Sequence, residues 1–137
     1  MPDAAESVSG RRKLLLVGGD RTSRQALVQL LAGEGFTVDE VNSGAQALVR
    51  LQSIDYDAVM IDFYMPEMSG LELAAFIRDG YIGATRPPVL IALSSDLSVQ
   101  DQEHAATVFD RVFLEPIEAQ TLSAMLADNL AATNRSV

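Results

Sequence analysis

Five short apolar segments recur along the chain and alternate with segments that carry helix signals. They occupy residues 13–17, 36–41, 56–62, 89–93 and 111–114. Strands that are apolar along most of their length are typical of a parallel sheet whose two faces are both covered by helices. The alternation therefore predicts an α/β fold, a (βα)5 domain with a doubly wound, five-stranded parallel sheet.

Three of the intervening segments begin with the sequence of a capping box. In this motif a Ser or Thr oxygen and a Glu or Gln side chain three residues later satisfy free amides at the start of a helix. The matching segments are Thr22-Ser23-Arg24-Gln25, Ser43-Gly44-Ala45-Gln46 and Ser69-Gly70-Leu71-Glu72. A fourth helix is predicted near residues 98–107, where the apolar pattern is weak, and a fifth follows the last strand.

Apolar stripes at helical spacing identify the helix faces that we expect to pack on the sheet. They are Leu27, Leu30 and Leu31; Leu73, Phe76 and Ile77; and Leu122, Met125, Leu126 and Leu130. Together with the strands they define one domain at residues 13–131. The small and polar residues at 1–12 and 132–137 are expected to be disordered tails.

Composition excludes several classes of protein. Hydrophobic residues make up 48% of the 137 residues, yet no apolar run approaches the roughly 20 residues that a membrane span needs. The acidic start is not that of a secretory signal, and the absence of cysteine excludes disulfides. A net charge of −9 opposes binding to a nucleic-acid backbone. We expect a cytoplasmic protein that binds neither membrane nor nucleic acid.

Asp62 follows the apolar residues of the third predicted strand, in the segment Ala58-Val59-Met60-Ile61-Asp62-Phe63-Tyr64-Met65-Pro66-Glu67-Met68-Ser69-Gly70. This segment resembles the phosphoacceptor loop of two-component response-regulator receiver domains, where the strand ends in an Asp and a Met-Pro-x-Met-x-Gly turn follows. The order of elements from Lys13 to Leu130 is similar to a receiver as well. The resemblance implies the flavodoxin-like receiver fold and a role in bacterial two-component or phosphorelay signalling.

Functional crevices of open α/β sheets lie beyond the carboxyl ends of the central strands. The loops that would meet there are Gly18-Gly19-Asp20, Asp62, Ser94 and Glu115-Pro116. The resemblance implies an acidic pair directly after the first strand, which holds Mg²⁺ together with the phosphoacceptor Asp. Gly18 and Gly19 occupy those two positions and offer no carboxylate. Asp20 is expected to cap the first helix rather than to reach a metal.

Of the other positions that the resemblance implies, one matches the family and two do not. The family places a Lys before the proline that follows the fifth strand, and this chain has Glu115, an anion that would repel a phosphoryl group. Ser94 matches the Ser or Thr that senses phosphorylation, whereas Val112 replaces the aromatic switch residue. The sequence therefore predicts a degenerate receiver, or pseudo-receiver, with Asp62 at the phosphoacceptor position, no bound Mg²⁺ and no enzymatic activity.

The leading hypothesis is a module that binds a signalling protein, either a histidine kinase or an output protein, without being phosphorylated. The resemblance implies that the surface formed by the fourth helix, the fifth strand and the fifth helix makes this contact, and that it also supports a weak homodimer. His104, Arg111 and Val112 belong to that surface.

Two alternatives stay open at this stage. Asp62 could accept a phosphoryl group with Asp20 or Glu115 as metal ligand, or the vacated crevice could bind a nucleotide second messenger. The second alternative would use scattered arginines, namely Arg21, Arg24, Arg86 and Arg111. The chain is expected to be either a stand-alone regulator or a piece of a hybrid histidine kinase.

Overall fold

The computed structural model describes residues 12–18, 21–65, 67–80, 88–94, 98–114, 120, 121 and 124. Strands and helices alternate, as the sequence predicts. The strands are β1 (Lys13–Val17), β2 (Thr37–Val41), β3 (Ala58–Asp62), β4 (Val89–Ser94) and β5 (Arg111–Leu114). The helices are α1 (Arg21–Gly33), α2 (Gly44–Ser53), α3 (Gly70–Gly80) and α4 (Val99–Val108). The predicted fifth helix, with Leu122, Met125, Leu126 and Leu130, and the predicted tails apart from Arg12 lie outside the described residues.

All five strands are parallel, in the order β2-β1-β3-β4-β5. This arrangement confirms the predicted doubly wound (βα)5 fold. Residues of the central strands alternate between two apolar layers. Leu15 and Ile61 belong to the layer that includes side chains of α2, α3 and α4, whereas Leu14 and Met60 belong to the layer that includes Leu27 and Leu31 of α1. Because both faces are covered, the central strands are apolar almost throughout.

Several predicted boundaries are wrong by one or two residues. The second strand begins at Thr37, because the amide of Phe36 donates to the Leu31 carbonyl and closes the end of α1 instead of joining the sheet. The third strand begins at Ala58 rather than at residue 56. The fourth extends one residue further, to Ser94, which pairs with Leu114.

Helix starts agree with the capping predictions at two of three places. Ser69 and Glu72 form the reciprocal pair, with hydrogen bonds of 2.9 and 3.1 Å. The Ser43 hydroxyl accepts a hydrogen bond from the backbone amide of Gln46, and the Gln46 side-chain oxygen accepts one from the backbone amide of Asn42. The predicted box at Thr22 is wrong, because α1 already begins at Arg21 and Thr22 lies inside it.

Two members of the predicted apolar stripes face solvent instead of the core. The side chains of Leu30 and Phe76 are 42% and 58% exposed. In α3 the buried arc consists of Leu73, Ala74 and Ile77, and Phe76 lies beyond its edge. Within the described part of the chain, no helix is long and apolar enough to span a membrane.

Tyr56, just before β3, is hydrogen-bonded to β2. Its hydroxyl donates to Asp39 Oδ2 at 2.6 Å, and Arg50 of α2 approaches the same carboxylate at 3.6 Å. Burial, followed by the hydrogen bond to Asp39 and the charge of that carboxylate, raises the pKa of Tyr56 to about 12. The buried phenol therefore stays neutral in the folded protein over a wider pH range than a free tyrosine.

Removal of the Tyr56 hydroxyl should lower stability and flatten its alkaline pH dependence. We expect Tyr56→Phe to lower the free energy of unfolding at neutral pH by about 1.5 kcal/mol, because the lost hydrogen bond joins a carboxylate. The folded pKa of about 12 lies above the usual 10.0, so the contribution of Tyr56 is complete below pH 10.0 and is lost as pH rises through about 12. Urea unfolding of the wild type and of Tyr56→Phe between neutral pH and about pH 12 measures the difference in the free energy of unfolding. An equally steep alkaline loss in the variant would contradict the assignment.

Candidate functional site

The carboxyl ends of β1, β3 and β4 bring Gly18, Asp62 and Ser94 to one edge of the sheet. Val17 pairs with Ile61 in the strand register, so the residues that follow them, Gly18 and Asp62, are neighbours. Asp62 is partly buried, and Ser94 is only 3% exposed. Gly19, Asp20 and Glu115 lie outside the described residues. The structure thus brings together three of the predicted site positions and leaves the roles of the other three as predictions.

Gly18 has a backbone conformation that disfavours any other residue. Its φ is +80°, in the region that L-amino acids avoid, and its amide donates to the Val41 carbonyl at 3.0 Å. A Cβ atom placed on Gly18 would overlap the Met65 sulfur and would lie 3.0 Å from Met65 Cγ and 3.2 Å from Asp62 Cβ. The positive φ therefore favours glycine here, and any larger residue would also require the Met65 side chain to move.

Met65 fills the place that a side chain at position 18 would need. Its thioether lies against Gly18 and beside Asp62, and the residue is half-buried. Mg²⁺ takes hard oxygen ligands, and a thioether is a soft one. In the described residues no three acidic, His or Cys side chains come together to hold a metal. On this side of the crevice the Met65 thioether therefore supplies no hard oxygen ligand.

Hydrogen bonds connect Asp62 to its own loop and, through Tyr64, connect this loop to α4. Its Oδ1 accepts a hydrogen bond from the Tyr64 amide at 3.3 Å. The Tyr64 hydroxyl donates to the carboxylate of Asp101 in the first turn of α4, and its ring packs edge-on against Phe63. Sequence reasoning missed this link, because residues 64 and 101 lie far apart in the chain and neither is part of a motif.

The glycine that ends the Met-Pro-x-Met-x-Gly turn has a packing role. A Cβ on Gly70 would overlap the Asp62 carbonyl oxygen and would lie 2.8 Å from Phe63 Cα. The Gly70 amide donates to the Phe63 carbonyl at 2.9 Å, which holds the start of α3 against the end of β3. This close approach explains why the turn identifies the fold independently of the chemistry at Asp62.

Among the described candidate residues, Arg24 reaches the edge of the crevice, whereas Val112 and Arg111 lie away from it. Val112 pairs with Ala92 and packs, half-buried, on the layer formed with α2, α3 and α4. Arg24 contacts Glu40 at 3.0 Å and the Gly18 carbonyl at 3.4 Å. Arg21 is exposed on α1 and Arg111 lies on β5, an edge strand, while Arg86 is outside the described residues. The described arginines therefore do not form one anion-binding cluster.

Comparison with known proteins agrees with this architecture. The model of the response regulator receiver domain family matches residues 14–127. The chain belongs to the response regulator receiver domain family. It is therefore a receiver domain of two-component signalling systems, and the fold and family implied by the Asp62 segment are confirmed.

Relatives of this receiver include large sensory proteins. The sensory/regulatory protein RpfC of Xanthomonas campestris is 30% identical over 124 residues, which are 90% of this chain but 17% of RpfC. The aerobic respiration control sensor protein ArcB of Escherichia coli is 30% identical over 92 residues, 67% of this chain and 12% of ArcB. A CheY-like receiver structure from Methylobacillus flagellatus is 29% identical, with a TM-score of 0.76, and the match covers 87% of this chain and 98% of that one.

Substitution of Gly18 should reveal the contact with Met65. We expect Gly18→Ala to lower the free energy of unfolding by about 2 kcal/mol, because it adds both a disfavoured φ and an overlap with the thioether. In a double-mutant cycle, Met65→Ala should recover about 1 kcal/mol of this loss by removing the overlap alone. Gly33→Ala is the matched control, since no atom lies within 4 Å of its added Cβ. Additive effects at positions 18 and 65 would contradict the contact.

Proposed function

We propose that this receiver binds a signalling protein without phosphorylation of Asp62, and thus acts as a pseudo-receiver. The observation that carries the proposal is the conformation of Gly18, with Met65 packed where a metal-binding side chain would otherwise begin. A carboxylate can attack a phosphoryl group only if a cation offsets the charge of both anions. The crevice is filled on one side by a thioether that cannot perform this task.

Within the described residues the packing of the scaffold is retained, in contrast to the charged positions of the site. Asp62 hydrogen-bonds its own loop, the Gly70 contact is tight, and both apolar layers are closed around the central strands. The charged residues that phosphotransfer needs are substituted, whereas the packing is retained. This combination supports a function that depends on binding at the surface rather than on a reaction.

Helix α4 is held at both ends by contacts that need no phosphoryl group. Ser98 caps its first turn at 3.0 Å, and Tyr64 bonds Asp101 in that same turn. At the other end, Arg78 of α3 donates to the Val108 carbonyl at 3.1 Å. These contacts support a surface of fixed shape on α4 and β5, to which the predicted fifth helix would add. We infer that this surface contacts a histidine kinase or an output protein in the cytoplasm, and that it also supports a weak homodimer.

The relatives support a signalling partner of this kind. RpfC and ArcB are named as sensory proteins, and each is several times longer than the segment that it shares with this chain. A receiver related to such segments would act next to, or within, a sensor protein. The length of those relatives also supports the reading that this chain belongs to a hybrid kinase system.

Exposure to a small phosphodonor should leave the protein unmodified. We expect no phosphoryl adduct in the intact mass after incubation with acetyl phosphate and Mg²⁺, because Gly18 and Gly19 supply no carboxylate for the metal. A receiver that carries the acidic pair, treated in parallel, shows that the phosphodonor is active. An adduct that disappears in Asp62→Asn would contradict the proposal and would establish the phosphoaccepting alternative, with Asp20 or Glu115 as metal ligand.

The binding surface can be tested separately from the chemistry. A histidine kinase fragment that binds the wild type without phosphodonor should bind His104→Ala and Arg111→Ala about tenfold more weakly, because both side chains are exposed on this surface. Gln52→Ala on α2, also exposed, is the matched control. Isothermal calorimetry gives the affinities. Equal binding by all variants would place the contact elsewhere on the receiver.

A further inference from the structure

Helix α3 presents an aromatic ring to solvent between two carboxylates. Phe76 is 58% exposed, and Glu72 and Asp79 are exposed at the positions four before and three after it. This spacing puts the three side chains in one row along the helix, about 10 Å long. With Ala75 they line a shallow depression of about 450 Å³, which we call the α3 stripe.

The ring belongs to neither apolar layer of the domain. The side chains of α3 that close the core are Leu73, Ala74 and Ile77, all buried. Phe76 therefore adds little to folding while it holds a large apolar surface in water. Burial of such a ring by a partner is favourable.

Charge determines what kind of partner fits. Glu72 and Asp79 flank the ring, and the chain as a whole carries a net charge of −9. Arg78 does not offset them, because its guanidinium bonds the Val108 carbonyl and Asp110 on the side of α3 that faces α4. Asp79 also lies in the last turn of α3, where the negative end of the helix disfavours a carboxylate. A cation from outside would relieve that repulsion.

We propose that the α3 stripe is a docking surface for a basic amphipathic helix of a partner protein. An apolar side chain of that helix covers Phe76, and Lys or Arg side chains on either side of it pair with Glu72 and Asp79. A second copy of this chain fits poorly, because two stripes placed together would oppose their carboxylates, and an anionic lipid surface would be repelled in the same way. The proposal depends neither on the state of Asp62 nor on the α4 surface.

A synthetic amphipathic helix of leucine and lysine serves as the probe. Titrated into the full chain labelled with nitrogen-15, it should shift the amide signals of α3 around Phe76 and leave those of α4 nearly unchanged. Phe76→Ser should weaken binding about tenfold or more, since a central aromatic side chain commonly dominates an interface. Val49→Ser removes a similarly exposed apolar side chain from α2 and should bind as the wild type does.

The charge requirement has its own matched pair of variants. Glu72→Gln, which keeps the cap on Ser69, combined with Asp79→Asn should weaken binding about tenfold or more. Asp55→Asn with Glu103→Gln changes the net charge equally and should weaken it only slightly. Equal loss in both double variants, shifts centred outside α3, or unchanged binding by Phe76→Ser would each overturn the proposal. Sedimentation velocity completes the test. Self-association of the wild type that is lost in Phe76→Ser would identify a second copy as the occupant and would also overturn it.

Discussion

Burial of the central strands on both faces is the constraint on which the rest of this receiver depends. Successive residues of β1 and β3 enter opposite apolar layers, so a slip of one residue would exchange the side chains that α1 and α3 cover. The register is therefore strongly fixed, and so is the level at which each strand ends. The meeting of Gly18, Asp62 and Ser94 at one edge is a direct consequence of this packing.

Most of the fold could be predicted from the sequence, because apolar periodicity reports burial directly. The parallel, doubly wound sheet and the capping pairs at Ser43 and Ser69 needed only local patterns and general rules of α/β topology, whereas the strand order came from the structure. Phe76 was assigned wrongly, since helical spacing indicates the centre of a buried arc but not its width. The start of β2 was wrong for a different reason, as the Phe36 amide is used by the preceding helix.

The site was less accessible to sequence reasoning than the fold. Replacement of an acidic pair by Gly18 and Gly19 indicated a loss, but not what takes the vacated space. Met65 belongs to the turn that identifies the family, so its motif role concealed its contact with Gly18. The bond from Tyr64 to Asp101 depends on how α3 and α4 pack, which local patterns do not specify. Contacts between loops require the assembled sheet to bring their residues together.

The positive φ of Gly18 makes the loss of the acidic pair difficult to reverse in evolution. A single substitution to aspartate would meet both an unfavourable backbone conformation and the Met65 side chain, and is therefore expected to lower stability. Recovery would require a changed loop, a smaller residue at position 65 and the carboxylate together. Such dependence of one substitution on several others is epistasis, and it favours the retention of glycine at position 18 for as long as this loop conformation persists.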